Sequence, residues 1–336
     1  MNSLLTALLS PTPSTSFTPL WSGDLAAAAP EPFAWLWQGF LAPGNVTPLT
    51  SRWKAGKTTL VSILVSRMGA GGALAGLPLA AGRAVVVTEE SPAQWQQRSG
   101  RLDFGNHVCW ICRPFAGLPR RYQWLDFLSQ LTELCRHNTV ALVVIDPLAA
   151  FLPGHSENDA AAMMDALVPL QSLKALGVSI LLSHHPRKKA SAPGLAARGS
   201  GALSGYADVL IEMHPFTSAT TDRRRRLEAF SRYDDTPRDL VIELNADGND
   251  YTTHGDASAA EFSSNWDLVR AVLECAPGKL TRSEILASWP ETHPAPAEVT
   301  LSRWLERAVG LGALLREGSG HRNDPYRYGL AGRRST

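Results

Sequence analysis

The sequence predicts an α/β domain on a parallel central sheet, followed by a small helical module, and three observations carry this. From Phe33 onward, short apolar runs suited to strands buried on both faces alternate with longer stretches of helical period. One strand-to-helix junction, Ser51–Thr58, carries a basic turn with a glycine. After Asp208 the texture shifts to hairpins, and beyond Ser264 apolar residues recur at helical spacing. Composition agrees: 44% hydrophobic and 19% charged residues leave material for a sizeable core, and 336 residues accommodate one large domain and a small one. With 32 Lys+Arg against 31 Asp+Glu there is no globally basic coat for nucleic acid, so any such contact must come from local patches. Four cysteines make no disulfide framework in a chain this long and point to a reducing compartment.

Residues 1–32, rich in Pro, Ser, Thr and Ala, are expected to form a weakly ordered lead-in. The opening MNSLLTALLSPTPS lacks the basic start and long apolar stretch of a secretory signal, and no apolar run approaches the ~20 residues of a membrane helix. A soluble, cytoplasmic protein with no membrane partner is expected. Within 33–253 the expected strands are Ala84–Thr88, Val140–Ile145 and Val178–Ser183. Thr58–Met68, Tyr122–His137 and Asp159–Leu176 are the expected helices. Arg225–Arg232 and Asp239–Asn245 are then expected to pair through the turn Asp234-Asp235-Thr236-Pro237. Residues 254–264 are small, polar and aperiodic, which predicts a linker. In 265–330, Trp266, Val269, Val272 and Leu273 mark one helix, and Thr281 with Glu284 forms a capping box at the start of a second. Leu301, Trp304, Leu305, Ala308 and Val309 mark a third, before a hairpin with Gly318-Ser319-Gly320 near its tip. Three helices and a hairpin outline a winged helix-turn-helix.

The strongest local signal is SRWKAGKT, between an apolar segment and a helical one. It approximates G-x-x-x-x-G-K-[ST], whose backbone N–H groups cradle phosphate oxygens at a helix N-terminus. Ser51, Lys54, Ala55, Gly56, Lys57, Thr58 and Thr59 are the expected ATP-binding residues. Lys57 would reach the β- and γ-phosphates, and Thr58 would place its hydroxyl on Mg²⁺. Ser51 stands where the pattern has glycine, and Pro48 removes a ladder donor from the preceding strand. Val143-Val144-Ile145-Asp146 is an apolar strand delivering a carboxylate at its end, which suits Asp146 as a second Mg²⁺-holding residue. Glu89-Glu90 end another strand, and adjacent carboxylates there suit one of them, with Glu89 preferred, to orient the attacking water. The bland alternatives are a solvated loop for the glutamates and a turn cap for Asp146. Cys109 and Cys112 form a CxxC on an expected strand, where the two would point to opposite faces, so a metal or redox role is not favoured.

These motifs, in this order, resemble the RecA-type ATPases, nearest to the RepA-like plasmid helicase group and related to KaiC, RadA and DnaB-type helicases. The resemblance covers about Phe33 to Tyr251 and rests on WLWQGFLAPGNVTPLTSRWKAGKTTL, TEESPAQWQQR, VVIDPLAAFLPGHSENDAAAMMDAL, LLSHHPRKK, RGSGALSGYADVL and FSRYDDTP. It implies a RecA-like core and ATP hydrolysis with Mg²⁺ in a homo-oligomeric ring or filament, a hexamer above all. It also implies that His184, or His185 beside it, senses the γ-phosphate. Arg232, with Arg198 as fallback, would complete the neighbouring subunit's site. The lysine usual two positions before Arg232 is Phe230 here.

Between Pro186 and Ala207 the chain has Arg187, Lys188, Lys189 and Arg198 and no acidic residue. In ring-shaped relatives the corresponding loop faces the channel, which makes these four residues candidate contacts to single-stranded DNA. A solvated loop is the alternative. The run Arg223–Arg226 is as readily an exposed turn as a DNA contact. In the C-terminal module Arg303 and Arg307 on the third helix, and Arg322 on the wing, are candidate contacts to duplex DNA. The expected activity is DNA-coupled ATP hydrolysis by a replicative helicase or loader of plasmid or mobile-element type. The alternatives are an ATP-controlled DNA-binding regulator and a nucleotide-binding scaffold without turnover.

Overall fold

The computed structural model describes residues 19, 21–27, 34–153, 159–185 and 201–332. The chain divides into two units, Met1–Ala34 and Trp35–Thr336. In the first, α1 (Ser22–Ala27) begins beside Asp24, whose carboxylate accepts the Trp21 N–H at 3.2 Å. The rest of the expected lead-in lies outside the described residues, apart from Pro19 and Trp21.

In the second unit β1 (Val46–Ser51) turns through Arg52–Gly56 into α2 (Lys57–Arg67). A small hairpin of β2 (Gly72–Leu74) and β3 (Leu77–Leu79) precedes β4 (Arg83–Thr88). Then come α3 (Pro92–Ser99), β5 (Val108–Cys112), α4 (Arg121–Asn138) and β6 (Val140–Asp146). The helix expected over 159–176 is divided into α5 (Ala160–Leu167) and α6 (Gln171–Lys174) by a 3₁₀ turn at Val168–Leu170. Pro169 lies in that turn and has no N–H for an α-helical bond. β7 (Ser179–His184), α7 (Ala202–Tyr206) and β8 (Val209–Pro215) complete the alternating part. β9 (Arg224–Ser231), β10 (Asp239–Leu244) and β11 (Tyr251–Thr253) extend it.

The nine-stranded sheet has the order β11-β10-β9-β8-β1-β7-β6-β4-β5. Its six strands from β8 to β5 are mutually parallel, and β9–β11 add an antiparallel edge. Parallel neighbours need long crossovers, and the helices within them cover both faces of the sheet. Leu49, Val86, Val144 and Leu181 pack with Leu60, Ile63 and Leu64 of α2 on one face. Val85, Val87, Val143 and Ile180 pack with Trp124, Leu128 and Leu131 of α4 on the other. Each strand is therefore apolar on both sides, and that is why it reads as a continuous hydrophobic run. Pro48 is tolerated in β1 because the β1–β8 ladder begins only at Leu49↔Ile211, while the Val46 N–H goes to the Asp208 carboxylate at 2.9 Å.

α8 (Ala257–Cys275) corrects the expected linker at 254–264. Asp256 caps it, accepting from the Ala259 N–H at 2.6 Å, and Ala260 and Phe262 are buried. Arg224 binds Ser264, and the Asp239 carboxylate accepts from the Ala257 N–H at 3.1 Å, so the first turns lie against the sheet. The chain continues through β12 (Leu280–Thr281), α9 (Arg282–Ala287), α10 (Glu298–Gly310), β13 (Leu314–Glu317) and β14 (Arg327–Leu330). The expected capping box is present, with Thr281 N–H donating to Glu284 Oε2 at 2.7 Å. Val269, Leu273, Ile285, Leu301, Leu305 and Leu314 form a separate small core with a three-stranded sheet ordered β12-β14-β13.

Candidate functional site

Parallel strands end together, so residues just past their C-terminal ends gather into one crevice. Thr88 is in register with Asp146, and Thr50 with His184, which brings the ends of β4, β6, β7 and β1 level. A cleft of about 320 Å³ opens there. Trp53 through Thr59 line it together with Glu89, Glu90, Asp146, Pro147 and His185. Its volume lies in the range of small-ligand sites.

The loop wraps tightly because Lys54 has φ 60° and Gly56 φ 104°, left-handed values that glycine adopts without steric cost. Gly56 ends the loop at the start of α2, whose first N–H groups have no intrahelical partner and carry partial positive charge. Ser51 uses the side chain that the usual glycine lacks. Its hydroxyl donates to Arg52 O at 3.1 Å and accepts from Lys57 Nζ at 3.0 Å. Lys57 Nζ also donates to Ser51 O at 3.0 Å and to His185 Nδ1 at 3.1 Å. Burial lowers the Lys57 pKa to about 8 against the pull of the nearby Asp146 carboxylate. Anionic phosphate oxygens would reverse that cost by offsetting the buried charge.

Thr58 Oγ1 donates to Asp146 Oδ2 at 3.1 Å. A hydroxyl and a carboxylate at hydrogen-bond distance beside this loop are hard oxygen donors that would suit Mg²⁺. The two glutamates are told apart by their partners. Arg98 grips both oxygens of Glu90, with Nη2 to Oε1 at 2.8 Å, and lies over the Trp95 ring. The Glu89 carboxylate makes no hydrogen bond or ion pair among the described residues. Burial first, then the charges of Asp146 and Glu90, raise its pKa, and Arg113 partly opposes them.

The histidines are also distinguished. His185 lines the cleft and touches Lys57, whereas His184 is buried within β7 with Nδ1 lacking a partner among the described residues. Of the two histidines the sequence leaves open, it is His185 that lines the cleft. Strand alternation sends neighbours to opposite sides, and the sequence alone cannot say which side is the cleft.

One contact was not expected at all. Arg225 Nε donates to Ala55 O in the loop at 2.7 Å, and Arg225 Nη1 holds Asp222 O and Arg224 O. The signal was the run Arg223–Arg226, read in the sequence as an exposed turn or a DNA contact; within the chain each of the four arginines has its own partner. Arg224 pairs with Asp222, Arg226 with Asp239 and Glu228, and Arg223 reaches Glu243 at 4.0 Å. Arg232 is exposed just past β9, at the end of the sheet away from the loop, because β9 runs antiparallel to β8 and Ser231 pairs with Val209. Arg187, Lys188, Lys189 and Arg198 lie outside the described residues.

In the C-terminal module Arg303 and Arg322 are exposed, while Arg307 turns back over the Phe262 ring and lies 3.9 Å from Asp256. Arg316 pairs with Glu306, Arg327 with Glu284 and Arg282 with Glu298, so much of the module's positive charge is matched internally. Cys109 and Cys112 are free, on β5. Neither they nor His184 and His185 belong to a cluster with metal-ligand spacing among the described residues. Also among the described residues, no helix is long and apolar enough to cross a membrane.

No curated protein is significantly similar to the chain. Among solved structures, a KaiC-like protein from the hyperthermophilic archaeon Pyrococcus horikoshii OT3 is similar at 15% identity, with a TM-score of 0.47, over 66% of this chain and 99% of that one. The AAA domain family matches residues 10–191, which is more than half of the chain and includes the phosphate loop, Glu89, Asp146 and both histidines. With that match and this cleft together, the chain belongs to the AAA domain family of P-loop ATPases.

Proposed function

We propose that the protein hydrolyses ATP with Mg²⁺ and couples hydrolysis to DNA, as a RepA-like replicative helicase or loader. The observation that carries the ATP-hydrolysis part of this is the convergence, on one cleft at the strand ends, of Lys57, the Thr58–Asp146 pair and the Glu89 carboxylate, which has no hydrogen bond or ion pair among the described residues. Loop N–H groups and Lys57 bind the phosphates, and Mg²⁺ held by Thr58 and Asp146 supplies charge neutralisation on the phosphoryl oxygens. Glu89 orients the attacking water and takes its proton, a task that favours a carboxylate of raised pKa. His185 reads the γ-phosphate and passes its presence to β7. Arg225 holds the loop in shape through Ala55 O, and Arg232 completes the site of a neighbouring subunit in a ring or filament.

The order helix, strand, two helices, hairpin over α8–β14 supports a winged helix. Arg303 and Arg322 would be its DNA contacts, while Arg187, Lys188, Lys189 and Arg198 would touch single-stranded DNA in the channel. The ion pairs of Arg282, Arg316 and Arg327 lie at the surface, where water screens them, so phosphate can displace them.

ATP turnover with and without single- and double-stranded DNA, against Lys57→Ala, tests the reading. Turnover that single-stranded DNA stimulates and Lys57→Ala abolishes is expected. Turnover indifferent to DNA would replace the motor with a regulator, and absent turnover with tight binding would leave a scaffold.

A further inference from the structure

Glu212 and His214 lie two residues apart on β8, so both side chains leave the same face of the sheet. Glu228 on β9 is the direct register partner of Glu212. His214 Nε2 lies 3.6 Å from Glu212 Oε2 and 3.7 Å from Glu228 Oε2, and one donor atom from each of the three residues falls within 4.8 Å of the others. Metal–ligand bonds of about 2.0–2.2 Å in a tetrahedral site place donors roughly 3.4 Å apart, so these three are close to ligating separation already. Carboxylates directly opposite each other on paired strands repel unless positive charge compensates them. Arg226 lies 2.9 Å from Glu228 and pairs with Asp239 as well.

A second observation lies on the neighbouring strand. Thr50 of β1 is in register with Glu212, is 1% exposed, and its hydroxyl lacks a hydrogen-bond partner among the described residues. A three-ligand metal site keeps a fourth position for water, and a metal-bound water is the kind of partner this buried hydroxyl needs.

We propose that Glu212, His214 and Glu228 form a second metal site that binds a divalent transition ion of the Zn²⁺ type. An imidazole nitrogen with two carboxylates suits such an ion and not Mg²⁺, which takes oxygen donors. The site is therefore chemically separate from the Thr58–Asp146 pair. It is also placed to brace the phosphate loop. His214 pairs with Arg226 in register, and the next residue toward the loop is Arg225, which holds Ala55 O. Metal bound across β8 and β9 fixes the strand pair on which that contact depends.

Metal-free full-length protein titrated with Zn²⁺, and with Co²⁺ as a spectroscopic substitute, tests this without nucleotide. One Zn²⁺ per chain is expected, with a raised melting temperature, visible absorption from tetrahedral Co²⁺, and no displacement by Mg²⁺. His214→Gln, at a half-buried position, should weaken binding by more than about 100-fold, the upper end of what loss of a mere outer-shell partner costs. Glu228→Gln should act in the same direction and covers the case in which His214→Gln fails to fold. Thr58→Ala, which removes a donor from the phosphate cleft, should bind Zn²⁺ like the wild type. Absence of Zn²⁺ binding by the wild type would overturn the site. So would binding that survives both substitutions, the pattern expected if Cys109 and Cys112 held the ion.

Discussion

Arg98 occupies both oxygens of Glu90 and so removes that residue from competition with Glu89 for whatever enters the cleft. Glu89→Gln keeps the shape and removes the base. ATP should still bind, while turnover should fall by about 10²–10⁴-fold, the usual contribution of a positioned general base. Parallel measurements of nucleotide binding and phosphate release check this, and turnover unchanged in Glu89→Gln would disprove the assignment. His184 acts on stability. Burial, with His185 and Lys57 close by, pushes its pKa down to about 4 from the ordinary 6.5. The unfolded chain takes up that proton near pH 6.5, but the folded chain resists until about pH 4. Stability is therefore whole above the unfolded value and drains away as pH falls toward 4, on the order of 3 kcal/mol in all. Urea unfolding at pH about 7.5 and about 5 should show roughly 2 kcal/mol of this loss in the wild type and a smaller one in His184→Gln. Equal losses in the two proteins would place the pH sensitivity elsewhere.

β9 shows at the scale of an element what was legible in the sequence and what was not. Its bounds were readable within a residue, since alternation and the flanking turns report a strand locally. The different tasks of its four arginines were not, because each depends on which strand lies opposite. Arg226 meets Asp239 only because β10 pairs at that register, and Arg225 meets Ala55 only because the start of β9 abuts the loop end of the sheet. The choices between Glu89 and Glu90, and between His184 and His185, failed to be readable for the same reason. The first half of α8 was hidden differently, its helical face being only Ala260 and Phe262 among small polar residues. Arg225→Ala removes a charge-assisted hydrogen bond worth about 1.5–3 kcal/mol at a site whose geometry decides phosphate binding. ATP affinity should drop by roughly tenfold or more. Equilibrium nucleotide binding measures it, and wild-type affinity would show that the loop keeps its shape unaided.

Arg232 makes its prediction at the scale of the whole molecule. Arg225 touches the phosphate loop, and Arg232 follows seven residues later on a strand of about 3.4 Å rise per residue, which puts it more than about 20 Å away at the far end of the sheet. No side chain spans that distance, so Arg232 cannot serve the cleft of its own chain. A surface that presents the cleft at one end and an arginine at the other suits a head-to-tail interface, in which each chain lends the residue to the next. Such an assembly allows complementation. Lys57→Ala destroys a chain's own site but leaves an intact Arg232 to lend, and Arg232→Ala keeps the loop but cannot serve its neighbour. Each variant alone should be inactive. Mixing them should restore part of the turnover, since some interfaces then join an intact loop to an intact arginine. A mixture that co-assembles yet stays inactive would exclude the shared site and leave Arg232 a surface residue.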